Sequence, residues 1–97
     1  MTDNNNSMQP DDLTPLMQFP MAFPVKIMGL NNPAFPGIIR DLTVHHFPDF
    51  DSSTFGISYS RTKKYMALTV TVNAQSKDQL DDFYRALTSH PMVKVVL

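Results

Sequence analysis

The sequence predicts an α+β fold in which strands and helices follow one another as β-α-β-β-α-β. Three observations carry that expectation. Three short stretches alternate apolar and other residues with a period of two, and Met92–Leu97 adds a final short strand. Two longer stretches repeat apolar residues at spacings of three and four. Turn-forming residues separate them throughout.

The first strand is expected at Phe23–Met28, where Phe23, Val25 and Ile27 alternate with Pro24, Lys26 and Met28. Gly29 should end it, and the run Gly29-Leu30-Asn31-Asn32-Pro33 is turn chemistry. Asn32 can cap a helix with Pro33 in its first position. Phe35, Ile38, Ile39 and Leu42 then form one helical stripe. Pro36 disfavours the helical conformation at Phe35, so the regular helix should start at Pro36 and run to about His46. Pro48 bounds a loop. Phe55, Ile57 and Tyr59 alternate with Thr54, Gly56 and Ser58 in a second strand, and Arg61-Thr62-Lys63-Lys64 makes a charged hairpin turn. The third strand, Tyr65 to Asn73, places Met66, Leu68, Val70 and Val72 on one face. Ser76 and Gln79 match a capping box, and Leu80, Phe83, Tyr84 and Leu87 supply the stripe of the second helix. Ser89-His90-Pro91 stops that helix, and Met92–Leu97 is a final short strand.

Two split β-α-β units of this kind close by laying both helices on one face of a four-stranded antiparallel sheet of order 4-1-3-2. This is the ferredoxin-like sandwich. The apolar rows of the four strands should meet the two helical stripes. The alternate row of the third strand, Tyr65, Ala67, Thr69 and Thr71, then lies on the uncovered face with Pro24, Lys26 and Met28 of the first. That face is mixed in character, and it meets either water or a partner.

Ninety-seven residues make one domain. Residues 1–15 are polar, Asn-rich and interrupted by proline, the composition of a disordered tail, and residues 16–97 form the domain. The segment from Leu16 to Pro24, interrupted by Pro20, is expected to lie extended on it. Net charge is −1. Residues 1–19 hold Asp3, Asp11 and Asp12 and no Lys or Arg, so the remainder sets eight cations against six aspartates, a balance of +2. That balance is too small for a nucleic-acid surface. The absence of cysteine rules out disulfides and thiolate metal sites and fits a reducing compartment. No run approaches the length of a membrane span, and the start lacks the order of a signal peptide, so a cytoplasmic protein without membrane association is expected.

The stretches FPVKIMG (Phe23–Gly29), ALTVTVNAQSKDQLDDFYRAL (Ala67–Leu87) and MVKVVL (Met92–Leu97) resemble the YbeD-like family of small bacterial proteins. The likeness covers roughly residues 16–97. It lies in the Phe-Pro opening that leads to Ile27-Met28-Gly29, in Asn73-Ala74 before the second helix, and in the closing Val96-Leu97. The two prolines of NNPAFPG (Asn31–Gly37) depart from the family pattern. The resemblance implies a ferredoxin-like fold similar to ACT regulatory domains, with no catalytic residue set and no cofactor. ACT domains pair side by side or face to face and bind small metabolites near the first strand–helix turn. Members of the YbeD-like family are also associated, by gene neighbourhood, with lipoate attachment.

Four constellations are candidates for chemistry. His45, His46, Asp49 and Asp51 fall within seven residues, but adjacent histidines diverge by about 100° on a helix and do not converge on a metal. They suit a helix C-terminus, with Asp41 in reach of His45. Asp78, Asp81 and Asp82 are paired carboxylates without an enclosing pocket, matched by Lys77–Asp81 and Asp81–Arg85 pairs. Arg61, Lys63 and Lys64 beside Tyr65 form a solvated hairpin tip; an RNA platform of this topology needs several aromatics. Gly29, Leu30, Asn31 and Asn32 lead into a helix N-terminus whose N–H groups can receive a small anion. The expected protein is a non-enzymatic regulatory module, a homodimer, without catalytic residues, metal or cofactor. It binds either a small anionic metabolite at Gly29, Leu30, Asn31 and Asn32, or a protein partner through Lys26, Met28, Tyr65, Ala67, Thr69 and Thr71. RNA binding is the weakest reading.

Overall fold

The structure, a computed structural model, describes residues 18–97; the tail expected at residues 1–15 lies outside them. The elements are β1 (Met21–Leu30), α1 (Phe35–His46), a single 3-10 turn (Ser52–Thr54), β2 (Gly56–Tyr59), β3 (Tyr65–Ala74), α2 (Lys77–Ser89) and β4 (Val93–Val96). The strands form one antiparallel sheet in the order β2-β3-β1-β4, which is the expected 4-1-3-2 read from the other edge. The βαββαβ architecture is as the periodicities predict.

Strand β1 is longer than its strict alternation suggests, because neither Pro24 nor Gly29 interrupts it. Lys26 exchanges backbone hydrogen bonds with Leu97 (3.1 and 2.8 Å), so Lys26 and, two residues earlier, Pro24 turn their backbone nitrogens towards β4. β4 does not extend as far as Pro24, and the missing N–H costs no ladder bond there. Gly29 pairs with Met66 on one side and, across a bulge, with Val93 on the other. A Cβ at Gly29 would collide with the Met92 carbonyl oxygen and come within 2.8 Å of the Phe35 ring. Glycine is therefore required by close approach. Its backbone is not in the left-handed region.

Helix α1 starts at Phe35, one residue earlier than Pro36 suggested, and Asn32 does not cap it. The N-cap is Ala34, without a side-chain cap. Asn32 instead closes the preceding turn, its Oδ1 accepting from the Ala34 amide (2.8 Å) and its carbonyl from the Phe35 amide (3.0 Å). The buried stripe is Phe35, Ile39 and Thr43, while Ile38 and Leu42 are only half-buried. Thr43 is tolerated inside because its hydroxyl donates to the Ile39 carbonyl (2.7 Å).

Helix α2 is capped by Ser76, whose hydroxyl accepts from the Gln79 amide (3.2 Å). Gln79 closes the box one residue further back than expected, its Oε1 accepting from the Gln75 amide (2.7 Å). Its amide nitrogen also donates to the His46 carbonyl (3.2 Å), tying the start of α2 to the end of α1. Leu80, Phe83, Tyr84 and Leu87 are buried as their spacing predicts. Lys77 pairs with Asp81 (2.7 Å), but Arg85 pairs with Asp82 (2.7 Å) and not with Asp81.

The inward rows of β1 and β3 (Val25, Ile27, Leu68 and Val70 at their centre) meet these helical stripes, and Phe47 closes the core edge-to-face on Phe83 at 5.1 Å. Strand β2 departs from expectation. Ile57 and Tyr59 pair with Leu68 and Met66, so they belong to inward rows, yet they are 46% and 52% exposed. They stand at the sheet edge, beyond the reach of the helices, and only half-buried Phe55 packs against the core.

Gly29→Ala should cost about 1–3 kcal/mol of stability in urea unfolding, because the added methyl overpacks the Phe35–Met92 junction. Ser76→Ala should cost about 1 kcal/mol through the lost cap.

Candidate functional site

The register orders the uncovered face row by row. Tyr65 lies beside Leu30 at one end of the sheet. Next come Ser58, Ala67, Met28 and Val95, then Gly56, Thr69, Lys26 and Leu97. Thr71 with Pro24 and Asn73 with Ala22 complete the far end. The six residues expected on this face (Lys26, Met28, Tyr65, Ala67, Thr69 and Thr71) thus lie together in consecutive rows. The mixed character expected of the face resolves into two halves. The Leu30 and Tyr65 end is apolar; the Thr71 and Asn73 end is polar.

Sequence reasoning passed over three members of the apolar half. Leu30 was assigned to a turn, although it continues β1. Val95 and Leu97 come from β4 and its C-terminal neighbour, where Val93 and Val96 turn inward and Val95 and Leu97 turn outward. The signal was available, since MVKVVL is apolar on both faces, the pattern of a strand buried from both sides. Leu30, Tyr65, Val95 and Leu97 are each 43–45% exposed. On the β2 side of Tyr65 lies a shallow depression of about 180 Å³, with Met28, Ser58, Tyr59, Tyr65 and Ala67 in its wall.

The Gly29, Leu30, Asn31 and Asn32 candidate is arranged differently from a free turn. Gly29 and Leu30 are strand residues. The Asn31 amide donates to the Lys64 carbonyl and its side-chain Nδ2 to the Lys63 carbonyl, both at 2.9 Å. Asn31 therefore pins the β2–β3 turn, in which Lys63 takes a left-handed conformation (φ 64°). With Asn32 holding the Ala34 and Phe35 amides, the Asn31, Ala34 and Phe35 N–H groups of this corner have acceptors within the chain. A hollow of about 150 Å³ remains beside it, lined by Leu30, Asn32, Pro91, Met92 and Lys94. Lys94 is its cation.

The remaining candidates lie elsewhere. His45 and His46 sit edge-to-face at 5.2 Å, and His46 also contacts Phe83 at 5.7 Å. Burial holds the His46 pKa below its ordinary value and His45 lowers it further, while Asp82 acts in the opposite sense. Among the described residues, no three His, Asp or Glu side chains are grouped to hold a metal ion. Asp51 accepts from the Ser53 amide (3.0 Å) and hydroxyl (2.7 Å), which keep its carboxyl below the usual range. With Asp49 it borders a hollow of about 250 Å³ at the polar end of the sheet. The basic turn leans on the open face at one point, where Lys64 Nζ lies 5.6 Å from the Tyr65 ring centroid. No helix of the described residues is long and apolar enough to cross a membrane.

The arrangement is that of a small sheet with one open face, and a family model matches the chain over residues 14–97. The chain belongs to the DUF493 family, described as proteins of unknown function. Its relatives include a UPF0250 protein of Janthinobacterium sp. (strain Marseille), 46% identical over 87 residues, covering 90% of this chain and 96% of the relative. A UPF0250 protein of Paraburkholderia phytofirmans is 49% identical over 82 residues, covering 84% and 92%. One of Ralstonia nicotianae is 41% identical over 97 residues, the full length of both chains. The YbeD-like resemblance is consistent with this family.

Asn31→Ala should speed hydrogen exchange at the Ser60 and Tyr65 amides and destabilise the fold by about 1 kcal/mol, as both hairpin carbonyls lose or loosen a donor. For His46, folding lowers the pKa from the ordinary 6.5, so the native state binds fewer protons between the two values. Its contribution is complete above 6.5 and is lost as pH falls through the folded value. The melting temperature of the wild type should therefore drop more steeply on acidification from neutrality than that of His46→Phe.

Proposed function

We propose that this protein is a non-enzymatic regulatory module that works by binding a protein partner on its open sheet face. The observation that carries this reading is the apolar half of that face. Four large apolar side chains, Leu30, Tyr65, Val95 and Leu97, are exposed over three consecutive rows where a water-facing sheet would place polar ones. The charged groups support binding over acid–base catalysis. The Asp81 and Asp82 carboxylates of α2 are engaged in surface ion pairs on the opposite side, and the rows of the open face hold Lys26 and Tyr65 as their titratable groups. Val95→Asp and Thr69→Asp place a charge on this face without touching the core. Both should abolish association with the partner, read by capture from native lysate, while leaving the melting transition intact. Leu68→Asp is the contrasting control, since an unpaired charge in the core unfolds the domain. Undiminished association in both face variants would count against the reading.

A second reading is favoured by one observation, the cation at the hollow beside the first strand–helix junction. There Lys94, Leu30 and Asn32 could receive the carboxylate of a small metabolite, at the corner where ACT domains bind theirs. Amino acids and lipoate-related acids should then raise the melting temperature of the wild type and leave Lys94→Ala unmoved. A flat response across both sets removes this reading.

A further inference from the structure

Side-chain charge is sorted by secondary structure. The four strands and the β2–β3 turn carry Lys26, Arg61, Lys63, Lys64 and Lys94 and no acidic residue, a charge of +5. The two helices and the α1–β2 loop carry all six aspartates of the described residues against Arg40, Lys77 and Arg85, a charge of −3. The modest sum of +2 hides this separation. The cations also frame the apolar half of the open face. Lys26 stands between Thr69 and Leu97, Lys94 shares a hollow with Leu30, and Lys64 reaches the Tyr65 ring.

We infer that the partner is an acidic protein segment. It seats an apolar side chain among Met28, Tyr65 and Ala67 and directs carboxylates to Lys26, Lys64 and Lys94. The inference rests on the interaction-face reading and names the chemistry of its partner. A desolvated apolar centre supplies affinity, and a charged margin supplies steering and selectivity. A second copy laid with its apolar half on this one would crowd the cations of both around the same contact and is disfavoured by their repulsion. Single-stranded RNA would stack on several exposed aromatics, and these rows offer Tyr65 alone.

The test is an NMR titration of the isotope-labelled full chain with a synthetic peptide that carries Leu and Phe anchors among Asp and Glu residues. Parallel titrations use the same peptide with Lys in place of its acids, an oligouridine, and phosphatidylcholine vesicles containing phosphatidylglycerol. The acidic peptide should shift the Leu30, Tyr65, Ala67 and Val95 amides, bind more weakly as salt is raised, and lose about ten- to a hundred-fold in affinity to the folded double variant Lys26→Glu, Lys94→Glu. Absence of binding overturns the inference, as does equal binding of the basic peptide. So does preferential binding of oligouridine or vesicles, or self-association that protects the same amides. Lysate capture that depends on Val95 but not on Lys26 and Lys94 would sink the acidic chemistry while leaving the interaction face standing. Indifference to all three residues would sink both.

Discussion

Alternate residues of β1 and β3 can send only one set of side chains under α1 and α2, and pleating obliges the other set to emerge on the far side. Every position between Met21 and Leu30 and between Tyr65 and Ala74 is governed by that parity. It places Val25, Ile27, Leu68 and Val70 in the core and, by the same step, Lys26, Met28, Ala67 and Thr69 outside. A one-residue slip would exchange the two sets, so the hydrophobic pattern that builds the core also defines the open face.

One corner of the molecule holds several elements in register. At Gly29 the backbone of β1 approaches both the Met92 carbonyl, where the chain enters β4, and the Phe35 ring, the first buried side chain of α1. Two residues on, Asn31 bonds the two carbonyls that close the β2–β3 turn. The junction joins both edge strands to the central pair, and it brings Leu30, Tyr65, Lys64 and Lys94 to one end of the sheet. The apolar patch and the cations around it are both products of this corner. The opposite end, bordered by Asp49 and Asp51, has the reverse character, polar and acidic.

Net charge conceals such an arrangement. A balance of +2 over the described residues suggests an electrostatically unremarkable surface, but cations and aspartates are sorted by secondary structure. The aspartates of α2 follow helix energetics, since Asp78 lies in the first turn and Asp81 and Asp82 pair along the helix surface. No such local demand accounts for the lysines of the strands and hairpin. They gather around the apolar half of the open face.

Strand and helix order, the antiparallel sheet, the Ser76 cap and the split of β3 into an inward and an outward row were legible in the sequence, because each depends on spacing within a single segment. Leu30 was not legible as a sheet residue, since Gly29 reads locally as a terminator and only the packed Met92 and Phe35 show why a glycine sits inside a strand. Nor were the roles of the Asn31 donors, which are satisfied by partners thirty-two and thirty-three residues away. Ile57 and Tyr59 alternate as a buried row should, but their exposure is decided by how far two helices extend over the sheet. What the chain determined by itself was periodicity, and hence which side chains share a face. Which faces meet, and which charges collect around the uncovered one, was decided by the tertiary structure, because these depend on strand order and register between segments distant along the chain.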